Sequence, residues 1–232
     1  MLTQSLAVHF DDAQHKKKYS KKMIHSGPKY SKIKFPGKHG GATCFLLVYI
    51  FFACTIYRVD SAEAGIFDTS KDDWAIIAGY GQSFPDWGQT TQRVETLDLI
   101  PRYNHRIFDN LGSGWYRGFH SILLEVPVSL VVSHDVSTMV GINFLAAYTF
   151  TANQQWQPYV FGGGGPVYSF ADIPGMGADL NGNYQFGVGL KYDWDSSHQL
   201  LFEMRYHHIS NAGTSDPNDP LNSIKFLAGF TF

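Results

Sequence analysis

Asn183-Tyr-Gln-Phe-Gly-Val-Gly-Leu-Lys-Tyr-Asp-Trp194 alternates without a break between two kinds of side chain. Its even positions are Tyr184, Phe186, Val188, Leu190, Tyr192 and Trp194; its odd ones are Asn183, Gln185, Gly187, Gly189, Lys191 and Asp193. A period of two places each set on its own face of a β-strand. A soluble barrel turns its large apolar residues inward. A narrow barrel in lipid turns them outward and fills its lumen with polar and small groups. A face made wholly of large apolar residues, several of them aromatic, opposite a face of small and polar ones fits the second arrangement.

The neighbouring segments repeat the pattern. Val140, Ile142, Phe144, Ala146, Tyr148 and Phe150 oppose Gly141, Asn143, Ala147 and Thr149, and Ile122, Leu124, Val126, Val128, Leu130 and Val132 oppose Ser121, Glu125, Pro127 and Ser129. From Trp74 onward such segments occupy about 73–84, 92–108, 115–133, 138–152, 155–170, 182–195, 198–210 and 221–232. The second alternates less cleanly, with Glu95 on its more apolar face and Asp98 and Arg102 opposite. Polar turns such as 109–114, 152–154 and 195–197 separate the segments, and aromatic residues crowd their ends as an interfacial girdle requires. The expected fold is all-β, an eight-stranded antiparallel transmembrane β-barrel of the outer-membrane type. Glu203, Arg205 and His207 are expected to join Glu125 and Lys191 in a polar network that fills the lumen.

The two ends of the chain suggest an address. Ten basic residues stand against four acids in 1–64, and eight against sixteen beyond, about +6 and −8. Behind the lysine-rich leader, Ala42–Tyr57 is apolar and holds both cysteines, Cys44 and Cys54, and Ala62-Glu-Ala64 supplies small residues at a cleavage position. Leader, short apolar core and cleavage box describe a secretory signal, and the run is short for a spanning helix. We therefore expect 1–64 to be an N-terminal extension and signal peptide, with translation starting at Met23 or later, and 65–232 to be the barrel, free of cysteine. A nucleic-acid-binding arm would need no apolar core and cleavage box, so nucleic acid is not an expected partner. At the other end Ile224, Phe226, Ala228, Phe230 and terminal Phe232 resemble the aromatic-ended last strand of chains delivered to the outer membrane of Gram-negative cells.

Two further features are structural. Gly162-Gly-Gly-Gly165 lacks the Gly-Lys-Ser/Thr ending of a phosphate loop and reads as close packing or a kink in a strand. His105, His120, His134 and His198 lack ligand spacing, so neither a metal nor another cofactor is expected.

On the seventh segment Leu200, Phe202, Met204, Tyr206, His208 and Ser210 share one face. An even-stranded barrel starts and ends on the periplasmic side, so this strand runs outward and finishes at the extracellular rim. His208 and Ser210 would then face lipid at the outer leaflet, a costly place for polar groups that have no role. A serine beside a histidine base attacks esters, and lipid A of the outer leaflet carries acyl esters.

Arg205-Tyr-His-His-Ile-Ser-Asn-Ala-Gly213, followed by Pro217-Asn218-Asp219 and a last short strand, resembles the outer-membrane lipid A 3-O-deacylases, the PagL family. The resemblance extends over the barrel, though its specific residues lie in about the last 30. It implies Ser210 as nucleophile, His208 as general base and Asn211 as a neighbouring motif residue. Gly213 through its backbone N–H and Asn218 through its side chain would form the oxyanion hole, donors that typically contribute about 3 kcal/mol each. The substrate would be lipid A or lipopolysaccharide, met in outer-membrane lipid, and a homodimer is compatible with the sequence.

The family's glutamate, twelve residues after the serine, is Asn222 here, on the lipid-facing parity of the adjacent strand. An asparagine oxygen can accept the imidazole N–H and fix its tautomer, as in papain-like proteases, and outer-membrane phospholipase A resembles this in its Asn-His-Ser set. Asn222 is thus expected to complete the catalytic set, ahead of Asp216 and Asp219. Asn222→Glu is expected to keep or raise activity. The alternatives are a phospholipase or acyltransferase on the same site, and a non-catalytic structural barrel whose site has decayed.

Overall fold

A computed structural model describes residues 71–133, 136–195 and 197–232. The basic leader, the apolar run with its cysteines, the Ala64 cut and the 64/65 boundary lie outside the described residues, as does His134.

The alternating segments form ten strands: β1 (Asp73–Ser83), β2 (Glu95–Leu111), β3 (Gly118–Glu125), β4 (Val128–Val131), β5 (Ser137–Gly141), β6 (Asn143–Phe150), β7 (Trp156–Ser169), β8 (Leu180–Asp193), β9 (Gln199–Ser210) and β10 (Leu221–Thr231). All pairings are antiparallel, and β10 returns to β1, from Ala75 opposite Thr231 to Ser83 opposite Ser223, which closes the ring. Strands β3 and β4 lie end to end along β2, and β5 and β6 lie end to end along β7. The barrel therefore has eight staves, and β9 is the seventh.

The two interruptions have a common cause. Proline lacks an N–H and cannot complete a regular ladder. Pro101, Pro127 and Pro166 fall on the second, third and fifth staves at the heights where the pairing changes partner. Their carbonyls accept the N–H groups of Val126 at 3.1 Å, Gly141 at 3.0 Å and Ile142 at 3.1 Å, so the irregular backbone stays bonded. A barrel in hydrocarbon requires that of every backbone group.

Burial follows parity. On β9 Leu201, Glu203, Arg205, His207 and Ile209 are buried, whereas Phe202 and Met204 are exposed. Leu97, Leu99, Ile122, Phe144, Val188, Phe226 and Phe230 are likewise exposed on the outside, the wall that a lipid-facing barrel presents. The second stave alternates strictly up to Asn104, with Thr96, Asp98, Ile100, Arg102 and Asn104 all turned inward, and loses the alternation beyond Arg106, where its register against β3 shifts.

Those inward charges find partners. Arg205, 1% exposed, donates to Glu125 Oε2 and Gln185 Oε1 at 2.9 Å each and to Glu203 Oε2 at 2.8 Å. Arg102 donates to Glu125 Oε1 at 2.8 Å and Glu203 Oε1 at 2.6 Å, and the Tyr159 hydroxyl donates to Glu203. Lys225 pairs with Asp98 at 2.7 Å. Two of the expected members stand apart. Lys191 is buried but lies over the rings of Phe119 and Tyr159, 5.7 Å from each centroid, and His207 lines a small cavity with Gln185 and Lys225 further along the lumen.

One end carries the long connections 84–94, 170–179 and 211–220, whereas 112–117 and 151–155 close the other. Outer-membrane barrels have long extracellular loops and short periplasmic turns, so the first end is extracellular. There Val94, Val131, Met139, Val167, Ile173, Ile209 and Leu221 form an apolar cluster inside the lumen mouth.

Candidate active site

Register brings the candidate residues together. His208 on β9 stands opposite Asn222 on β10 and opposite Tyr184 on β8, and Ser210 ends β9 two residues later on the same face. His208 Nε2 lies 3.0 Å from Ser210 Oγ, and His208 Nδ1 lies 2.7 Å from Asn222 Oδ1. The imidazole stacks on Tyr184, centroids 4.3 Å apart and planes 20° apart. His208 and Ser210 are half-buried on the outer wall, at the extracellular end of their stave.

Asn222 has the lipid-facing parity of Phe226 and Phe230, yet it is buried at 6% exposure. The loop 84–94 covers it. Asn222 Nδ2 donates to the Trp87 carbonyl at 2.8 Å and to Thr90 Oγ1 at 2.9 Å; its backbone N–H donates to the same hydroxyl at 2.9 Å, and its carbonyl accepts the Phe84 N–H at 3.1 Å. Its Oδ1 accepts the Tyr206 hydroxyl at 2.6 Å as well as His208 Nδ1. Every donor and acceptor position of the amide relevant to the site is thus engaged.

These contacts decide the protonation pattern. A backbone carbonyl can only accept, so the end of the amide facing Trp87 is the NH2, and the end facing His208 is the oxygen. An oxygen facing Nδ1 requires Nδ1–H. Neutral His208 then carries its lone pair on Nε2, aimed at the Ser210 hydroxyl, which is the tautomer a general base needs. Asp219, an alternative partner in the sequence reading, is engaged elsewhere: its carboxylate accepts Thr91 Oγ1 at 3.0 Å and its N–H donates to Gly175 O at 2.8 Å. Asp216 is exposed in the 211–220 loop.

Beyond Ser210 the chain turns through Ala212 (φ 55°) and Gly213 (φ 79°). Asn211 is buried and stitches this turn: its N–H donates to Asn218 Oδ1 at 2.9 Å, and its side chain donates to Ser215 O at 2.8 Å. With Oδ1 so held, Asn218 is left with Nδ2 as its donor end. The Gly213 N–H donates to Asn211 Oδ1 at 2.9 Å, so that candidate oxyanion donor is occupied within the loop. Loop 170–179 braces the same region, with Met176 bridged to Asn218 and Gly177 N–H donating to Pro217 O at 2.7 Å.

Three residues of this arrangement escape a reading of the motif. Tyr184 and Tyr206 were open to strand parity, since they share the outer face with His208. Thr90 lies in a loop 132 positions from Asn222 and has no sequence signal that ties it to the site.

The arrangement has relatives. The family model described as lipid A 3-O-deacylase (PagL) matches residues 79–231. Among solved structures, the outer membrane enzyme PagL is 21% identical, with 68% of this chain and 97% of that chain covered and a TM-score of 0.50. Neisserial surface protein A (NspA) is 14% identical, with 69% and 95% covered and a TM-score of 0.53. At such identities the shared feature is the barrel. Among curated proteins none matches.

Proposed function

The chain belongs to the lipid A 3-O-deacylase (PagL) family, and on that premise we propose that it hydrolyses the 3-linked acyl ester of lipid A in the outer leaflet, with Ser210 as nucleophile and His208 as general base. Like its family it is an integral outer-membrane protein. One observation carries the reading: an unbroken relay from Asn222 Oδ1 through His208 to Ser210 Oγ, with links of 2.7 and 3.0 Å, on the lipid-facing wall at the extracellular rim. Catalytic hydrogen bonds fall in this range.

The chemistry follows from the tautomer. Ser210 Oγ attacks the ester carbonyl while its proton passes to His208 Nε2. The resulting imidazolium has Nδ1–H on Asn222 Oδ1, a neutral partner that orients the ring without adding a counter-charge. Negative charge develops on the former carbonyl oxygen, for which Asn218 Nδ2 is the side-chain donor at hand. Collapse expels the sugar 3-hydroxyl, which takes its proton from His208, and leaves the acyl group on Ser210. Water, deprotonated by His208, then attacks that acyl-enzyme and releases the fatty acid. Gly213 N–H joins the oxyanion hole only if it exchanges Asn211 Oδ1 for the substrate oxygen.

Mass spectrometry of lipid A from Gram-negative cells expressing the chain tests this. The expected result is loss of one 3-hydroxyacyl chain with the wild type and none with Ser210→Ala at equal barrel content. An unchanged spectrum with folded wild-type barrel would overturn the assignment.

A further inference from the structure

A histidine base oriented by an amide has a weakness that one oriented by a carboxylate lacks. A carboxylate presents an acceptor whichever way it turns, but an amide has two unlike ends. Were the Asn222 side chain rotated by half a turn, its NH2 would face His208 Nδ1. That contact favours the opposite tautomer, with the proton on Nε2, which cannot take the proton of Ser210. Something must hold the amide in one sense.

The loop 84–94 is built around that group. It is closed on itself by Asp86 N–H to Thr90 O at 3.0 Å, Trp87 N–H to Phe84 O at 3.1 Å and Thr90 N–H to Trp87 O at 3.3 Å. The Trp87 ring meets Tyr206 edge-on at 5.1 Å, which sets the loop against the outer wall beside His208. Gly88 takes a left-handed φ of 66°, and a Cβ there would lie 3.2 Å from Asn222 Nδ2. Thr90 is 3% exposed, and its hydroxyl oxygen receives both N–H groups that Asn222 directs toward the loop.

Resting on the serine-esterase reading above, we propose that Thr90 is a positioning residue of the reaction, its hydroxyl anchoring the Asn222 amide against the Trp87 carbonyl so that Oδ1 faces His208 and the imidazole is held as the Nδ1–H tautomer. Two acceptors, Thr90 Oγ1 and the Trp87 carbonyl, face Nδ2. A flipped amide would set its oxygen against the carbonyl, which can only accept; the Thr90 hydroxyl could turn to donate, so its part is to hold Nδ2 in place at the carbonyl that selects the sense. Thr90 and the Trp87 carbonyl together supply the orientation that the absent carboxylate would have supplied by symmetry.

The test uses the full chain purified in detergent, with lipid A as substrate and heat-modifiable migration as the measure of folding. Thr90→Val removes the hydroxyl at nearly constant shape. It removes the acceptor of two Asn222 N–H groups, and loss of the bond to Nδ2 is expected to lower kcat about tenfold while KM stays within about twofold. Thr90→Ser restores the rate. In an Asn222→Ala background, Thr90→Val adds no further loss of kcat, because the backbone N–H of residue 222 that Thr90 still accepts there does not reach His208. A role confined to loop packing predicts the same loss in both backgrounds and would overturn the proposal, as would unchanged kcat in folded Thr90→Val. If Thr90→Val does not fold, Thr90→Cys, whose sulfur is a weak acceptor, takes its place with the same outcomes. A wild type as inactive as Ser210→Ala would instead refute the esterase reading. The imidazole 15N shifts of His208 then decide on Thr90 alone: an Nδ1–H tautomer that becomes mixed in Thr90→Val supports it, and an unchanged tautomer overturns it.

Discussion

At Asn222 an amide stands where the family resemblance implies a glutamate, one methylene shorter and without its charge. The sequence allowed Asn222→Glu to match or exceed the wild type by adding a counter-charge for the imidazolium. The contacts turn that expectation round. Asn222 Nδ2 donates to the Trp87 carbonyl at 2.8 Å and to Thr90, and a carboxylate would set an acceptor against that carbonyl. Leaving a buried polar group unpaired costs about 1–3 kcal/mol, enough to offset a charge gain beside the half-buried imidazole. Asn222→Asp and Asn222→Glu are both expected to fall about tenfold or more below wild type in kcat/KM, measured by release of fatty acid from lipid A. A variant equal to wild type would show that the loop can re-form around a carboxylate.

At the scale of the strand, β7 shows what the glycine run is for. Its four glycines were legible as close packing, and the distances give the reason. A Cβ on Gly164 would lie 2.1 Å from the Asn183 carbonyl oxygen on β8, a contact that only a shift of the backbone could relieve. Gly164→Val is therefore expected to reduce the fraction of chain that folds to the heat-modifiable barrel, with the residual folded protein retaining Ser210-dependent activity. Normal folding yield would mean that β7 and β8 can part without loss. Strand ends matter equally for the site. Ser210 is the last residue of β9, so its Oγ is aimed by the regular strand behind it, while the 211–220 turn that follows is held by the Asn211 N–H on Asn218 Oδ1.

For the whole molecule, the lumen holds a buried ion cluster between apolar clusters. Arg102 and Arg205 balance Glu125 and Glu203 almost without solvent contact, as the side-chain exposures of 3% and 1% against 0% and 0% show. Removing one partner strands the others, and such losses are typically about 3–5 kcal/mol. Arg205→Leu should lower the urea midpoint of the refolded barrel correspondingly, although Arg205 touches neither Ser210 nor His208. A midpoint shift near zero would mean that water enters and compensates the stranded charges.

Much was decided by the sequence alone, and for one reason: a strand repeats every two residues, so parity assigns each side chain to lipid or lumen without knowledge of the partner strands. The eight staves, the inward course of Asp98, Arg102, Glu203 and Arg205, and the pairing of His208 with Ser210 on the outer wall all follow from it. Parity also put Asn222 beside His208 once β9 and β10 were read as neighbours. What it could not reach depends on registers and loops. The row of prolines breaks two staves because of which residues lie across from them, and Lys191 and His207 stand apart from the ion cluster because height in the lumen, not parity, decides who meets whom. The closure of loop 84–94 over Asn222, and with it the role of Thr90 in orienting an amide, arises where irregular backbone from distant positions converges. Only the tertiary structure could decide that, since no local period links residues 132 positions apart.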